Sequence, residues 1–147
     1  MNSIKWLSKF EGHPLFSILE DSFITNEKLV LKGNKGSFLN VLMAALQVKK
    51  ERKQLVIAND KEEAAYIYND IQNLLGETSA LYYPSSSTSP YENSRTQNAN
   101  IVQRAEVLSE LNNNKKKFII TYPEALLEKV ITKKELTKHS HIIKVGD

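Results

Sequence analysis

The chain has 147 residues, 41% of them hydrophobic, so it is long enough to bury the core of one domain. It has no cysteine and three scattered histidines, which excludes disulfides, thiolate zinc sites and cysteine nucleophiles and provides no metal-binding cluster. The net charge of +3 is too small to predict nucleic-acid binding by itself. The longest apolar run, residues 38–46, is shorter than a membrane span of roughly 18 residues, and the first ten residues lack a signal-peptide pattern. We therefore expect a cytoplasmic protein with no membrane partner.

The first segment, residues 1–27, is predicted to be a helical extension. Its apolar residues have the spacing of one or two short helices that pack on a sheet or on a neighbour. They are Trp6, Leu7, Phe10, Leu15, Phe16, Ile18 and Leu19.

From residue 28 onward, short β-rich apolar runs alternate with segments of helical periodicity. This pattern predicts an α/β fold with a mostly parallel sheet flanked by helices. The predicted strands are residues 29–32, 54–58, 80–83, 118–121 and 141–145, and the predicted helices are residues 38–46, 64–75, 101–111 and 124–130. For the second helix, Asp60 is the predicted N-cap, Glu63 follows three residues later and Gly76 ends it. Residues 84–100, rich in serine and poor in apolar residues, are predicted to be a surface loop.

A glycine-containing segment between the first predicted strand and helix stands where a phosphate-binding loop would stand. It consists of Gly33, Asn34, Lys35, Gly36, Ser37, Phe38, Leu39 and Asn40. A P-loop started at Gly33 requires glycine, lysine and a hydroxyl residue at the last three positions, for phosphate approach, charge neutralisation and Mg²⁺ ligation. This sequence has none of the three, and Lys35 offers a substitute charge only from a different loop position. The segment is predicted to be a degenerate loop that binds neither ATP nor Mg²⁺.

Lysines are concentrated in the last third of the chain. Those singled out as candidate contacts to nucleic acid or a partner are Lys115, Lys116, Lys117, Lys133 and Lys134. A solvated surface is the alternative interpretation of such a run.

Six short motifs follow one another along the chain: Tyr-Pro at 83–84, Ser-Pro-Tyr-Glu at 89–92, Ile-Val-Gln-Arg at 101–104, Val-Leu-Ser-Glu-Leu at 107–111, Ile-Ile-Thr-Tyr-Pro-Glu-Ala-Leu-Leu at 119–127 and Lys-Val-Gly-Asp at 144–147. In this order they resemble the N-terminal UvrB-homology segment of bacterial transcription-repair coupling factors (Mfd). The degenerate glycine loop distinguishes this pattern from UvrB itself. Residues 93–98 depart from the family, which carries acidic and His-Gln residues there.

The resemblance implies that residues 28–147 are a partial helicase-like (RecA-like) domain that ends at the threshold of a UvrA-interaction domain. Proteins of this family release RNA polymerase stalled at DNA lesions and recruit UvrA for nucleotide excision repair. Their ATP- and Mg²⁺-dependent DNA translocase motor lies outside this chain. The implied partners are the remaining domains of the same protein and, in the full-length context, UvrA, RNA polymerase and DNA. The segment itself is expected to be a noncatalytic scaffold without a cofactor.

Two other functions remain open. One is an active P-loop NTPase or helicase domain of a UvrB-like repair protein, or a Rossmann unit, which would require the missing lysine and hydroxyl or a G-x-G-x-x-G loop. The other is a basic nucleic-acid-binding module, in which the lysines would contact phosphates and Tyr82, Tyr83 and Tyr91 would be the candidates for base stacking.

Overall fold

A computed structural model of the chain describes residues 3–25, 28–86, 94–111, 113, 116–132, 134–135 and 138. The elements, in chain order, are α1 (Ser3–Leu7), a 3-10 helix (Ser8–Gly12), α2 (Pro14–Thr25), α3 (Phe38–Lys49), β1 (Gln54–Ile57), α4 (Lys61–Leu75), a second 3-10 helix (Glu77–Ser79), β2 (Ala80–Tyr82), α5 (Ser94–Leu111), β3 (Phe118–Thr121) and α6 (Pro123–Leu127). The structure confirms the α/β class, with a parallel sheet flanked by helices, and is consistent with a partial RecA-like fold. No helix in the described ranges combines the length and hydropathy needed to cross a membrane.

The sheet has the order β1-β3-β2, and both pairings are parallel. The central strand β3 pairs Ile119 with Leu55 on one side and with Leu81 on the other. Strand β3 is almost entirely apolar and largely buried, as expected for a parallel strand covered on both faces. The sheet therefore depends on the last of its three described strands, with β1 and β2 as its edges.

Helices cover the two faces of the sheet unequally. On one face, α4 packs against β2 and β3, α3 packs against α4, and α1 contacts both helices. Fully buried side chains from these layers form the core: Leu7, Phe16, Leu42, Ile71, Phe118 and Ile120. The N-terminal helices thus share one core with the sheet. On the opposite face, residues of α5 and α6 lie beside Leu55 and Ile119 but leave the β1 side of that face exposed.

The prediction of a strand at residues 29–32 is wrong. Residues 28–32 have no regular structure, and the Val30 side chain is 63% exposed. A strand requires a neighbouring strand for its backbone N–H and C=O groups, and none of β1, β2 or β3 pairs with this segment. The predicted strand at 141–145 lies outside the described residues.

The loop predicted at residues 84–100 is only partly correct. Helix α5 begins at Ser94, seven residues before the predicted start, and Pro84 and Ser85 are buried. The polar composition of residues 94–100 obscured the first two turns of this helix. Helix α6 ends at Leu127, three residues before its predicted end.

Helix α4 confirms the predicted caps. The Asp60 carboxylate accepts a hydrogen bond from the Glu63 backbone N–H at 2.7 Å, and the Glu63 carboxylate accepts one from the Asn59 backbone N–H at 2.7 Å. These bonds satisfy donors that have no partner inside the first helical turn. At the other end, Gly76 adopts φ 101°, a backbone conformation that disfavours any side chain.

Replacing Asp60 with alanine is expected to lower the free energy of unfolding by about 1 kcal/mol, because the first turn of α4 loses its side-chain cap. Urea denaturation followed by circular dichroism measures the change. Asp21→Ala, at an exposed position of α2, is the matched control and should change stability by less than about 0.5 kcal/mol. Equal losses in the two variants would contradict the capping role.

Candidate functional site

The glycine loop at residues 33–37 leads directly into α3. Gly33 and Gly36 have φ 80° and 55°, so this backbone path favours glycine. Ser37 precedes the helix without a side-chain capping bond, and the Lys35 side chain is exposed. Because no described strand precedes the loop, the strand-loop-helix context of a phosphate-binding loop is incomplete within the described residues.

Phe38, Leu39 and Asn40 occupy the positions at which a P-loop has glycine, lysine and a hydroxyl residue. The Phe38 ring packs on the core and meets the His13 ring edge-on, with centroids 5.8 Å apart. Leu39 is partly exposed. Asn40 is buried, and its side-chain amide donates to the Asp70 carboxylate at 2.8 Å, which connects α3 to α4. The positions expected to approach phosphate and Mg²⁺ therefore contribute to packing between helices or face solvent.

The structure does not bring the candidate lysines into one described cluster. Lys116 and Lys134 are exposed, whereas Lys117 forms an ion pair with Glu110 at 3.3 Å. Lys115 and Lys133 lie outside the described residues. Lys116 and Lys117 directly precede β3, so they lie at the amino ends of the parallel strands. Open α/β sheets bind ligands at the opposite, carboxyl edge.

A polar network lies at that carboxyl edge, centred on the buried Arg104 side chain of α5. One of its guanidinium nitrogens donates to the backbone carbonyls of Pro84 at 2.7 Å and Ala125 at 3.1 Å. The same nitrogen lies 3.3 Å from the Glu128 carboxylate, and the guanidinium stacks over the Tyr83 ring at 4.2 Å from its centroid. A single cation thus joins the segment after β2 to α5 and α6.

The Glu128 carboxylate is held by a set of donors that resembles an anion site. It accepts hydrogen bonds from the Ser86 backbone N–H at 2.8 Å and from the hydroxyls of Ser85 and Ser86 at 2.5 Å each. Together with Arg104, these are the kinds of group that hold a phosphate in many proteins. In this chain they hold an internal carboxylate instead.

Further hydrogen bonds fix the backbone after β2. The Tyr122 hydroxyl accepts from the Ser85 backbone N–H at 2.9 Å, the Thr121 hydroxyl donates to the Tyr83 carbonyl at 2.9 Å, and the Asn100 amide donates to the Ser85 carbonyl at 3.0 Å. The motifs at 83–84, 101–104 and 119–127 meet in this network, although sequence reasoning did not predict it. The sequence did contain one indication of a buried cation: Arg104 is a charged residue on the apolar face of α5, one turn before Val107.

Two of the three tyrosines considered for base stacking, Tyr82 and Tyr83, pack against other side chains. Tyr83 is buried, and burial raises the pKa of its hydroxyl, which finds no hydrogen-bond partner among the described residues. Tyr82 is partly buried, burial raises its pKa, and its ring lies 5.6 Å from the Tyr68 ring. Tyr91 lies outside the described residues. Tyr83 therefore lies in the core and Tyr82 at its rim.

An apolar cleft of about 360 Å³ adjoins the network on the less covered face of the sheet. Its lining includes Leu55 and Ile119 from the sheet, Leu108 from α5 and Leu126 from α6. Sequence reasoning did not identify this cleft, because its walls come from segments far apart in the chain. No group of three or more metal-ligating side chains was found within the described part of the chain.

Replacing Arg104 with methionine is expected to destabilise the fold by about 3 kcal/mol, since it removes the guanidinium that pairs with the largely buried Glu128 carboxylate. The double variant Arg104→Met, Glu128→Gln should lose less than the sum of the two single losses. Lys50→Met is the control, because it removes an exposed ion pair with Glu20 and should cost under about 1 kcal/mol. Chemical denaturation measures all four variants, and additive single losses would argue against a coupled pair.

Comparison with known proteins identifies one partial similarity. A stretch of 87 residues, 58% of the chain, is 34% identical to the transcription-repair-coupling factor of Rickettsia bellii (strain RML369-C). The chain spans 8% of the length of that protein. No family model matches the chain, and no solved structure matches it.

Proposed function

We propose that this chain is a noncatalytic scaffold segment of a transcription-repair coupling factor. In the full-length protein, the segment would position a partner-binding domain while the complete molecule releases RNA polymerase stalled at a lesion and recruits UvrA. The principal supporting observation is the alternative use of the P-loop positions, above all the buried Asn40 amide bonded to Asp70. The partial similarity to a transcription-repair-coupling factor supports the repair context.

A nucleotide-binding site must compensate the negative charge of the phosphates. A bound nucleotide requires an ammonium group and Mg²⁺ in addition to backbone N–H groups. Loss of the lysine contact and the hydroxyl ligand removes about 3–6 kcal/mol, taking each charge-assisted contact at its usual strength. This corresponds to roughly a hundredfold to ten-thousandfold lower affinity. A micromolar site would thereby become near-millimolar or weaker.

The carboxyl edge of the sheet supports the same proposal. Donors there that are suited to an anion are engaged by Glu128, and Arg104 links three segments of the chain through its carbonyl contacts and ion pair. Such an arrangement favours rigidity over exchange of a ligand. In this proposal ATP and Mg²⁺ belong to a motor domain outside the chain, and the segment packs against other domains of the same protein.

Isothermal titration of the purified chain with Mg-ATP is expected to show no saturable heat at micromolar concentrations, because the loop lacks both the lysine that would contact phosphate and the hydroxyl that would ligate Mg²⁺. The matched variant carries Phe38→Gly, Leu39→Lys and Asn40→Thr, which restores the P-loop residues. Since Asn40 bonds to Asp70, circular dichroism must first establish that this variant folds. Micromolar binding by the unmodified chain would refute the scaffold proposal and favour the NTPase.

Duplex DNA is expected to bind weakly and without sequence preference, through lysine contacts to phosphate alone. Fluorescence anisotropy at increasing salt should show a steep decline in any residual binding. Replacing Lys115, Lys116 and Lys117 together with alanine should abolish that binding. A control with Lys5, Lys9 and Lys35, which are exposed elsewhere, replaced by alanine should retain more of it. Sequence-selective binding at moderate salt would instead favour a dedicated nucleic-acid module.

A further inference from the structure

Helix α6 and the sequence after it are attached to the rest of the molecule at few points. Among the described residues from Pro123 onward, Ala125 is buried and Glu128 is half-buried, whereas all the others are exposed. Leu126 lines the apolar cleft but is 44% exposed, and Leu127 is 85% exposed. Because burial of one alanine side chain contributes little hydrophobic free energy, packing alone holds α6 weakly.

Hydrogen bonds and charge supply the remaining attachment. The Glu128 carboxylate accepts hydrogen bonds from the hydroxyls of Ser85 and Ser86 at 2.5 Å each and from the Ser86 backbone N–H at 2.8 Å. The Arg104 guanidinium lies 3.3 Å from the same carboxylate and donates to the Ala125 carbonyl at 3.1 Å. Hydrogen bonds to charged groups are stronger than those between neutral groups. The contacts of the Glu128 carboxylate, here called the Glu128 clasp, are therefore the main connection between α6 and the body of the fold.

Glu128 is also the residue at which α6 gives way to extended backbone. Its φ is −76° and its ψ is 143°, directly after a helix of five residues. Isolated helices shorter than about 12–15 residues are marginal in water, so α6 depends on its contacts with the rest of the fold. The clasp thus holds the residue that sets the direction in which the chain leaves α6.

We infer that the Glu128 clasp is a positioning contact: closed, it fixes the direction of the sequence that follows α6, and open, it releases α6 while the sheet stays folded. This role rests on the proposed function, in which the segment holds a partner-binding domain in place. It assigns that orientation to one carboxylate and its donors, all of which lie outside the glycine loop and the lysine run.

The sheet has its own support, which is separate from the clasp. Strand β3 pairs with β1 and β2 through its backbone, and the core residues Leu42, Ile71 and Phe118 are fully buried on the α3–α4 side. Elements with few buried contacts open at lower free energy than the core of the same fold. Opening of the clasp is therefore expected to precede unfolding of the sheet.

Amide hydrogen exchange of the intact chain measures how often the clasp opens, because the Ser86 N–H donates to Glu128 when the clasp is closed. Replacing Ser85 and Ser86 together with alanine removes two donors but keeps the carboxylate and its cation. The protection factor of the residue-86 amide should fall roughly tenfold or more, since hydrogen bonds to a charged group are lost. Amides of α4 should keep their protection. Glu124→Gln, which removes an exposed carboxylate from the same helix, is the control and should change neither.

Distances between spin labels measure the orientation itself. The chain has no cysteine, so Lys129→Cys and Tyr66→Cys, both at exposed positions, accept labels without background. The distance distribution between the two labels should be narrow in the otherwise unmodified chain and broad when Glu128→Ala is added. If Glu128→Ala does not fold, the double serine variant takes its place.

A distribution that broadens in the clasp variants while α4 keeps its protection supports the inference. A broad distribution with the clasp intact, an unchanged distribution in the variants, or loss of α4 protection in parallel with that of residue 86 would each overturn it. The labels and the residue-86 amide report on the clasp alone, so its failure is distinct from failure of the scaffold proposal, which the Mg-ATP titration tests.

Discussion

The buried guanidinium of Arg104 is the contact on which the carboxyl edge of the sheet depends. Its hydrogen bonds to the carbonyls of Pro84 and Ala125 satisfy backbone acceptors in two separate segments, and its charge balances Glu128. A carboxylate in this setting would be costly without a cation, and a buried cation would be costly without a carboxylate. The two charges therefore require each other, and the chain must bring α5, α6 and the segment after β2 together before either is compensated.

The same carboxyl edge is where a parallel α/β sheet usually presents donors to a ligand. Here Ser85, Ser86 and Arg104 direct donors to Glu128. At the same time, Asn40 connects two helices through Asp70. In both places the polar side chains form hydrogen bonds within the chain.

The elements best predicted from sequence are those determined by local chemistry. Asp60, Glu63 and Gly76 define the ends of α4 through capping bonds and a positive φ, and both effects are set by neighbouring residues. Strand β3 follows from a short β-branched run. The strand expected at residues 29–32 failed because pairing depends on a distant neighbour, which the local pattern does not contain. The Arg104 network was missed for the same reason: its contacts join residues 15 to 43 positions apart in the sequence.

The order of strands in the sheet also has a consequence for synthesis on the ribosome. Strands β1 and β2 both pair with β3, which follows them in the chain, and β1 precedes its partner by more than 60 residues. Neither early strand can find its place until residues 118–121 have emerged, and parallel pairings of this separation form slowly. During that interval the apolar segment at 54–57 is an unpaired strand in a nascent chain, a state prone to association with other chains and to capture by chaperones.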